Sequence, residues 1–169
     1  MANKGVANIS ITALRDEIKM RLNGTLSYNP STGDYWVYKT NVAPTDPDPI
    51  FVATDEFVGN IRTGDSVAVT DKVKWLAIKN LGFTEVGGGV KSQEGIMINF
   101  SGTDPTVGGT DGDDANNMFI APGELFVVKL NGVLVEDLRI GTCQLTAGMP
   151  SAIGTSTVAY TAAAVIQDL

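Results

Sequence analysis

The residues of this chain best equipped for chemistry stand in one acidic loop and one aromatic run. In Asp111-Gly-Asp-Asp-Ala-Asn-Asn117, the carboxylates Asp111, Asp113 and Asp114 and the amides Asn116 and Asn117 fall within seven residues. Such oxygen-rich spacing is what a hard cation such as calcium asks for. The loop departs from the EF-hand pattern, with Asn116 where that pattern needs Gly and Pro122 where it needs Glu. Its plain alternative is a solvated loop held by Asx turns. The aromatic run is Tyr35, Trp36 and Tyr38, with Tyr28 close by in sequence. Aromatic faces of this kind can stack on a sugar ring. On a strand, however, Tyr35 and Val37 point opposite to Trp36 and Tyr38, so at least one pair packs inward.

Other chemistries lack their parts. The chain has no histidine and one cysteine, Cys143, so a thiol nucleophile has no imidazole beside it and no intramolecular disulfide can form. Cys143 reads as a small apolar residue near a sheet end. Gly87-Gly-Gly89 is followed by neither Lys-Ser nor Lys-Thr in register and by no helical pattern, so it is not a phosphate loop. The carboxylates could offer a glycosidase pair, but no deep-cleft pattern accompanies them. With 12 Lys and Arg against 19 Asp and Glu, the net charge of -7 disfavours binding to nucleic acid, which is dominated by basic contacts to phosphate. The densest basic group, Arg15, Lys19 and Arg21, is interleaved with Asp16 and Glu17. The reading is a building or binding part, not an enzyme, with no cofactor.

The elements that must position these residues are mostly strands. Short alternating apolar runs punctuated by Gly, Pro, Asn and Asp recur almost to the last residue. Residues 124–130 and 133–140, separated by Asn131-Gly132, read as a hairpin with a type I′ turn, because Asn and Gly tolerate positive φ at both centres. A second hairpin is expected from residues 25–28 and 35–39, joined by the Pro- and Gly-containing segment 29–34. Further strands are expected at 50–53, 57–62, 66–70, 73–81, 96–100, 118–120 and 155–166. In the last of these Val158, Tyr160, Ala162, Ala164 and Ile166 share one parity. Trp75, in the most apolar strand, is expected in the core. Residues 41–49, with Pro44, Pro47 and Pro49, and residues 101–117 read as surface loops, and the stretch 142–154 is rich in small residues and assigned to no strand.

Residues 13–22 are the one helical pattern: Leu14, Ile18 and Leu22 recur every four positions, Thr12 can cap the start and Asn23-Gly24 can stop it. The expected fold is therefore all-β, an antiparallel sandwich of about ten strands with one short N-terminal helix. The 169 residues suit a single domain, with residues 1–24 as an arm or short helix. The first residues show no secretion signal and no run approaches the roughly 20 apolar residues that cross a bilayer, so the expectation is synthesis in a cytoplasm and no membrane partner.

Between Val73 and Asp137 the chain reads Val-Lys-Trp-Leu-Ala-Ile-Lys-Asn-Leu-Gly, then a Gly-rich loop, then Gly-Ile-Met-Ile-Asn-Phe-Ser-Gly, then Ala-Pro-Gly-Glu-Leu-Phe-Val-Val-Lys-Leu. This pattern resembles small β-sandwich structural proteins of tailed bacteriophages, particularly capsid decoration (cement) proteins. The resemblance implies a jelly-roll sandwich forming a homotrimer on the outer surface of the head, where it clamps neighbouring major capsid proteins. It carries no catalytic residues. The other reading is a tail-associated or receptor-binding sandwich that binds host glycans through Tyr35, Trp36 and Tyr38.

Overall fold

The computed structural model describes residues 5–12, 21–28, 30, 32–57, 66–107 and 117–169. Its eleven strands are β1 (Gly5–Thr12), β2 (Arg21–Tyr28), β3 (Asp34–Ala43), β4 (Asp48–Pro49), β5 (Lys72–Asn80), β6 (Gly95–Asn99), β7 (Asn117–Ile120), β8 (Leu125–Leu134), β9 (Arg139–Thr146), β10 (Met149–Ile153) and β11 (Val158–Gln167). All pairs are antiparallel. A four-stranded sheet runs β3-β11-β5-β8, a second runs β10-β9-β6-β7 with β4 added to β9, and β1 with β2 makes a sheet of two.

The alternation of β11 decides how the larger sheets meet. Val158, Tyr160, Ala162, Ala164 and Ile166 are all buried, as the shared parity predicts. They join Val37, Leu76 and Ile78 of their own sheet and Ile96, Ile98, Ile120 and Ile140 of the other in one apolar core. Burial of this branched aliphatic surface, at about 25 cal/mol per Å², is what holds the two sheets together. β11 uses alanine at its centre, which leaves room for Leu76 and Val37 on the flanking strands.

Polar groups close the strand ends. The buried Asn80 donates through Nδ2 to the carbonyl of Ile120 (3.2 Å) and accepts from the amide of Gly82 (2.8 Å), tying the end of β5 to β7. The buried Asp71 accepts from the amide of Ala68 (2.8 Å), and its carbonyl accepts from that of Val135. Pro122-Gly123 forms a turn, with the Glu124 amide bonded to the Ala121 carbonyl.

Several expectations are corrected. Asn131-Gly132 does not reverse the chain: β8 runs through it, pairing Lys129 with Trp75 and then Val133 with Val73, so Leu130, Asn131 and Gly132 face Lys74 alone. The positive φ of Gly132 (80°) makes a bulge here, a use of the same residue that serves a turn. The chain reverses later, at 135–137, and enters the other sheet. β2 pairs with β1, and β3 pairs with β11 over ten residues without a shift, so there is no hairpin between residues 25–28 and 35–39.

Among the described residues there is no helix; 13–20 lie outside them, and Arg21 and Leu22 begin β2. Residues 50–53 are bends and turn anchored by Asp55, while Ser66 makes only an isolated bridge to Glu56; 58–65 lie outside the described residues. Residues 41–49 hold the end of β3 and all of β4, with Pro49 at an edge where no donor is required. The stretch 142–154 is most of β9 and β10, joined at Ala147-Gly148, both at positive φ.

Candidate functional site

β3 carries the aromatic residues singled out by sequence, and its pleat separates them. Tyr35 faces the core, its ring 5.1 Å from that of Phe57. Trp36 lies on the opposite face and meets Trp75 edge-on at 5.4 Å and 73°. Tyr38, on the same side as Trp36, is 62% exposed. The three rings therefore make no common stacking platform; only Trp36 and Tyr38 share a face. Trp75 is buried as expected, but on the outer side of its sheet rather than between the two sheets.

Around Tyr38 the surface is made of small and hydroxyl-bearing side chains. Its neighbour across the ladder is Ala163, and the Thr40 and Thr161 hydroxyls lie 3.3 Å apart. Thr40 also donates to the Tyr38 hydroxyl (3.3 Å). Behind this face Lys39 turns the other way and bonds Asp55 (3.0 Å), which accepts from the Val52 amide as well. Lys39, Asp48, Pro49, Ile140 and Tyr160 line a cleft of about 430 Å³ at that end of the core. The Tyr160 phenol is pushed well above its ordinary range, first by burial and then by the carboxylates of Asp55 and Asp48. It is a neutral, buried hydroxyl at neutral pH.

Cys143 is fully buried on the outer side of the second sheet, and burial pushes its thiol up to about 12. A bond with the Gly95 backbone pulls the other way and the charge of Glu94 adds to the rise. A thiol held neutral in this way is inert as a nucleophile. Gly95 leaves space that a side chain would take from the Phe119 ring, and the Cys143 sulfur stands on the same side. Beyond Phe119 a groove of about 340 Å³ is lined by Met97, Val107, Met149 and Pro150.

Asp111, Asp113 and Asp114 lie outside the described residues. Among the described residues, no three His, Cys, Asp or Glu side chains converge as a metal site would need. Glu94 is the carboxylate with the most defined structural role. It accepts from the amide and hydroxyl of Thr155 (both 2.9 Å) and the amide of Ser156 (3.2 Å), fixing the loop that enters β11. Sequence alone did not single out Glu94 or Asn80. Their signal was only an isolated polar residue at a strand boundary, and apart from Gly82, which bonds Asn80, the side-chain partners lie 14 or more residues away.

The remaining open feature is β1–β2. The two strands pair over eight residues and join neither larger sheet. Asn8 and Thr25 stand opposite one another, exposed and hydrogen-bonded (3.2 Å), while Ala7 and Leu26 are half-buried. Comparison of the chain with protein-family models, with curated proteins and with solved structures returns no match.

Proposed function

We propose that this chain is a non-enzymatic virion structural protein, a jelly-roll β-sandwich that binds the outer surface of a capsid and braces contacts between major capsid proteins. The observation that carries the reading is the β1–β2 ribbon, a sheet of its own attached to a two-sheet body. An isolated two-stranded ribbon is marginal in water and gains its stability by lying against something else. A ribbon of eight-residue strands reaches about 27 Å, enough to lie across a neighbouring subunit. Tyr38 and Leu125, on opposite edge strands and each 62% exposed, supply further apolar contact area.

A part of this kind gains affinity by repetition. Many modest contacts, multiplied by the symmetry of a capsid and by self-association, raise effective concentration without any deep pocket. Purified chain mixed with capsids lacking it should pellet with them and saturate at a fixed ratio. Chain that stays in the supernatant at all concentrations, yet is retained on a glycan array in a manner lost with Tyr38→Ser, would replace this reading with the receptor-binding one, for which the pairing of Trp36 and Tyr38 on one face is the support.

A further inference from the structure

β3 closes one side of its sheet, and among the described residues only β11 pairs with it. Three hydrogen bonds establish which of its main-chain groups point away from β11. The Val42 amide donates to the side chain of its own neighbour, Asn41 (2.9 Å). Ala159, which stands opposite Val42, donates instead to the Phe83 carbonyl (2.7 Å) and accepts from the Leu81 amide (2.9 Å). Val42 and Ala159 are therefore a non-hydrogen-bonded pair, and by the alternation of an antiparallel ladder Thr40 and Tyr38 also turn their N–H and C=O groups outward. Tyr38, Thr40 and Asn41 are exposed. The strand carries no proline and its register with β11 has no bulge over ten residues. Soluble proteins ordinarily blunt such an edge, because it is a template for another strand.

We propose that β3 pairs antiparallel with β3 of a second copy around a two-fold axis at Tyr38, joining two four-stranded sheets into one of eight. The occupant is a second copy because the strand is complementary to itself in this register. With Tyr38 opposite Tyr38 of the partner subunit, outward-facing groups meet outward-facing groups and the outer faces of the sheets stay continuous. Tyrosine stacks on tyrosine, Thr40 comes opposite Trp36 of the partner subunit, and Val37 opposite Lys39 of the partner subunit. The register one residue along would set Lys39 against the partner's Lys39, a like-charge pair that disfavours it. In the Tyr38 register each Lys39 keeps its own Asp55. The contact is isologous and closes on itself, so it limits the edge to one partner.

The test is cross-linking of the full chain. At the axis the two Cα atoms of position 38 would sit about 5.5 Å apart, inside the disulfide range of roughly 4.4–6.8 Å. Position 40 would be displaced from its symmetry mate by roughly 13 Å along the strands. Tyr38→Cys should therefore give a covalent dimer on mild oxidation and Thr40→Cys should not, with the parent chain, whose Cys143 is buried, as the blank. Light scattering on the parent chain should show a dimer, and Thr40→Pro, which removes an outward amide without touching the β11 ladder, should return it to monomer with an unchanged circular dichroism spectrum. A parent chain that is monomeric at every concentration, a dimer or trimer indifferent to Thr40→Pro, or failure of Tyr38→Cys to cross-link would each overturn the pairing. The inference stands apart from the capsid reading: head binding without this dimer overturns the pairing alone, and the dimer without head binding overturns the capsid reading alone.

Discussion

β3 and β8 are the two edges of one sheet, and they are built on different rules. β8 breaks its register with β5, setting three of its residues, Leu130 to Gly132, against Lys74 alone. A bulge of this kind twists an edge and spoils it as a template. β3 keeps ten consecutive pairs with β11 and exposes the aromatic ring of Tyr38 beside its outward main-chain groups. One edge is guarded and the other is left open. Both strands belong to the same sheet and share its core, so the proposed pairing of β3 accounts for the difference as a matter of what each edge is permitted to touch.

The largest way to break the comparison is to remove the sheet that both edges share. Leu76 on β5 is fully buried, opposite Ala164 on one side and Val128 on the other. Leu76→Ala should lower unfolding free energy by about 2–5 kcal/mol, read from urea denaturation, and should take both edges down in one transition. A smaller change touches β8 alone. Gly132 has φ 80°, and a Cβ there would meet the Lys72 side chain at 3.3 Å, so Gly132→Val should cost about 1–3 kcal/mol. An unchanged denaturation midpoint would mean that the bulge does not depend on this residue.

Tyr38→Ser sharpens the contrast from the other side. An exposed substitution should move monomer stability by less than about 0.5 kcal/mol while weakening self-association by the lost ring stacking and leaving the main-chain pairing in place. A loss of stability equal to that of Gly132→Val would mean that the two edges do not differ as described.

The smallest effect is invisible at neutral pH and concerns the sheet that carries neither edge. Burial raises the Cys143 thiol from its ordinary 9.0 to about 12, so the fold favours the neutral form. That contribution is fully present below about pH 9 and is lost as pH rises through about 12. The melting temperature should fall over that alkaline window, and Cys143→Ala should flatten part of the fall.

Much of the β-rich fold was legible because alternation reports burial directly. The parity of Val158 to Ile166 marked a central strand, Val73 to Leu81 marked its neighbour β5, and Ile96 to Phe100 marked β6 of the other sheet, each within a residue or two. Where the reading failed, one residue type served two structural ends. Gly132 has the positive φ of a hairpin turn and spends it on a bulge, a choice settled by the partner strand rather than by Asn131-Gly132 itself.

β9 was missed for a different reason. Gly141, Thr142 and Cys143 are assigned to no strand by sequence because they are small, yet all three are buried in a strand whose outer side is crowded by Pro47 and the Phe119 side of the sheet. Small size there reflects crowding. The site was half legible: alternation required that Tyr35 part from Trp36 and Tyr38, but which pair faced outward depended on the ten-residue pairing with β11, far along the chain.

The claim that this molecule works through an open, pairing surface is tested most directly by amide hydrogen exchange along β3, followed as a function of protein concentration. The outward amides of Tyr38 and Thr40 should exchange rapidly in dilute solution and become protected as concentration rises, while the amides of β8 stay as they were. Exchange at Tyr38 and Thr40 that is fast at every concentration, or slow in the dilute monomer, would contradict it.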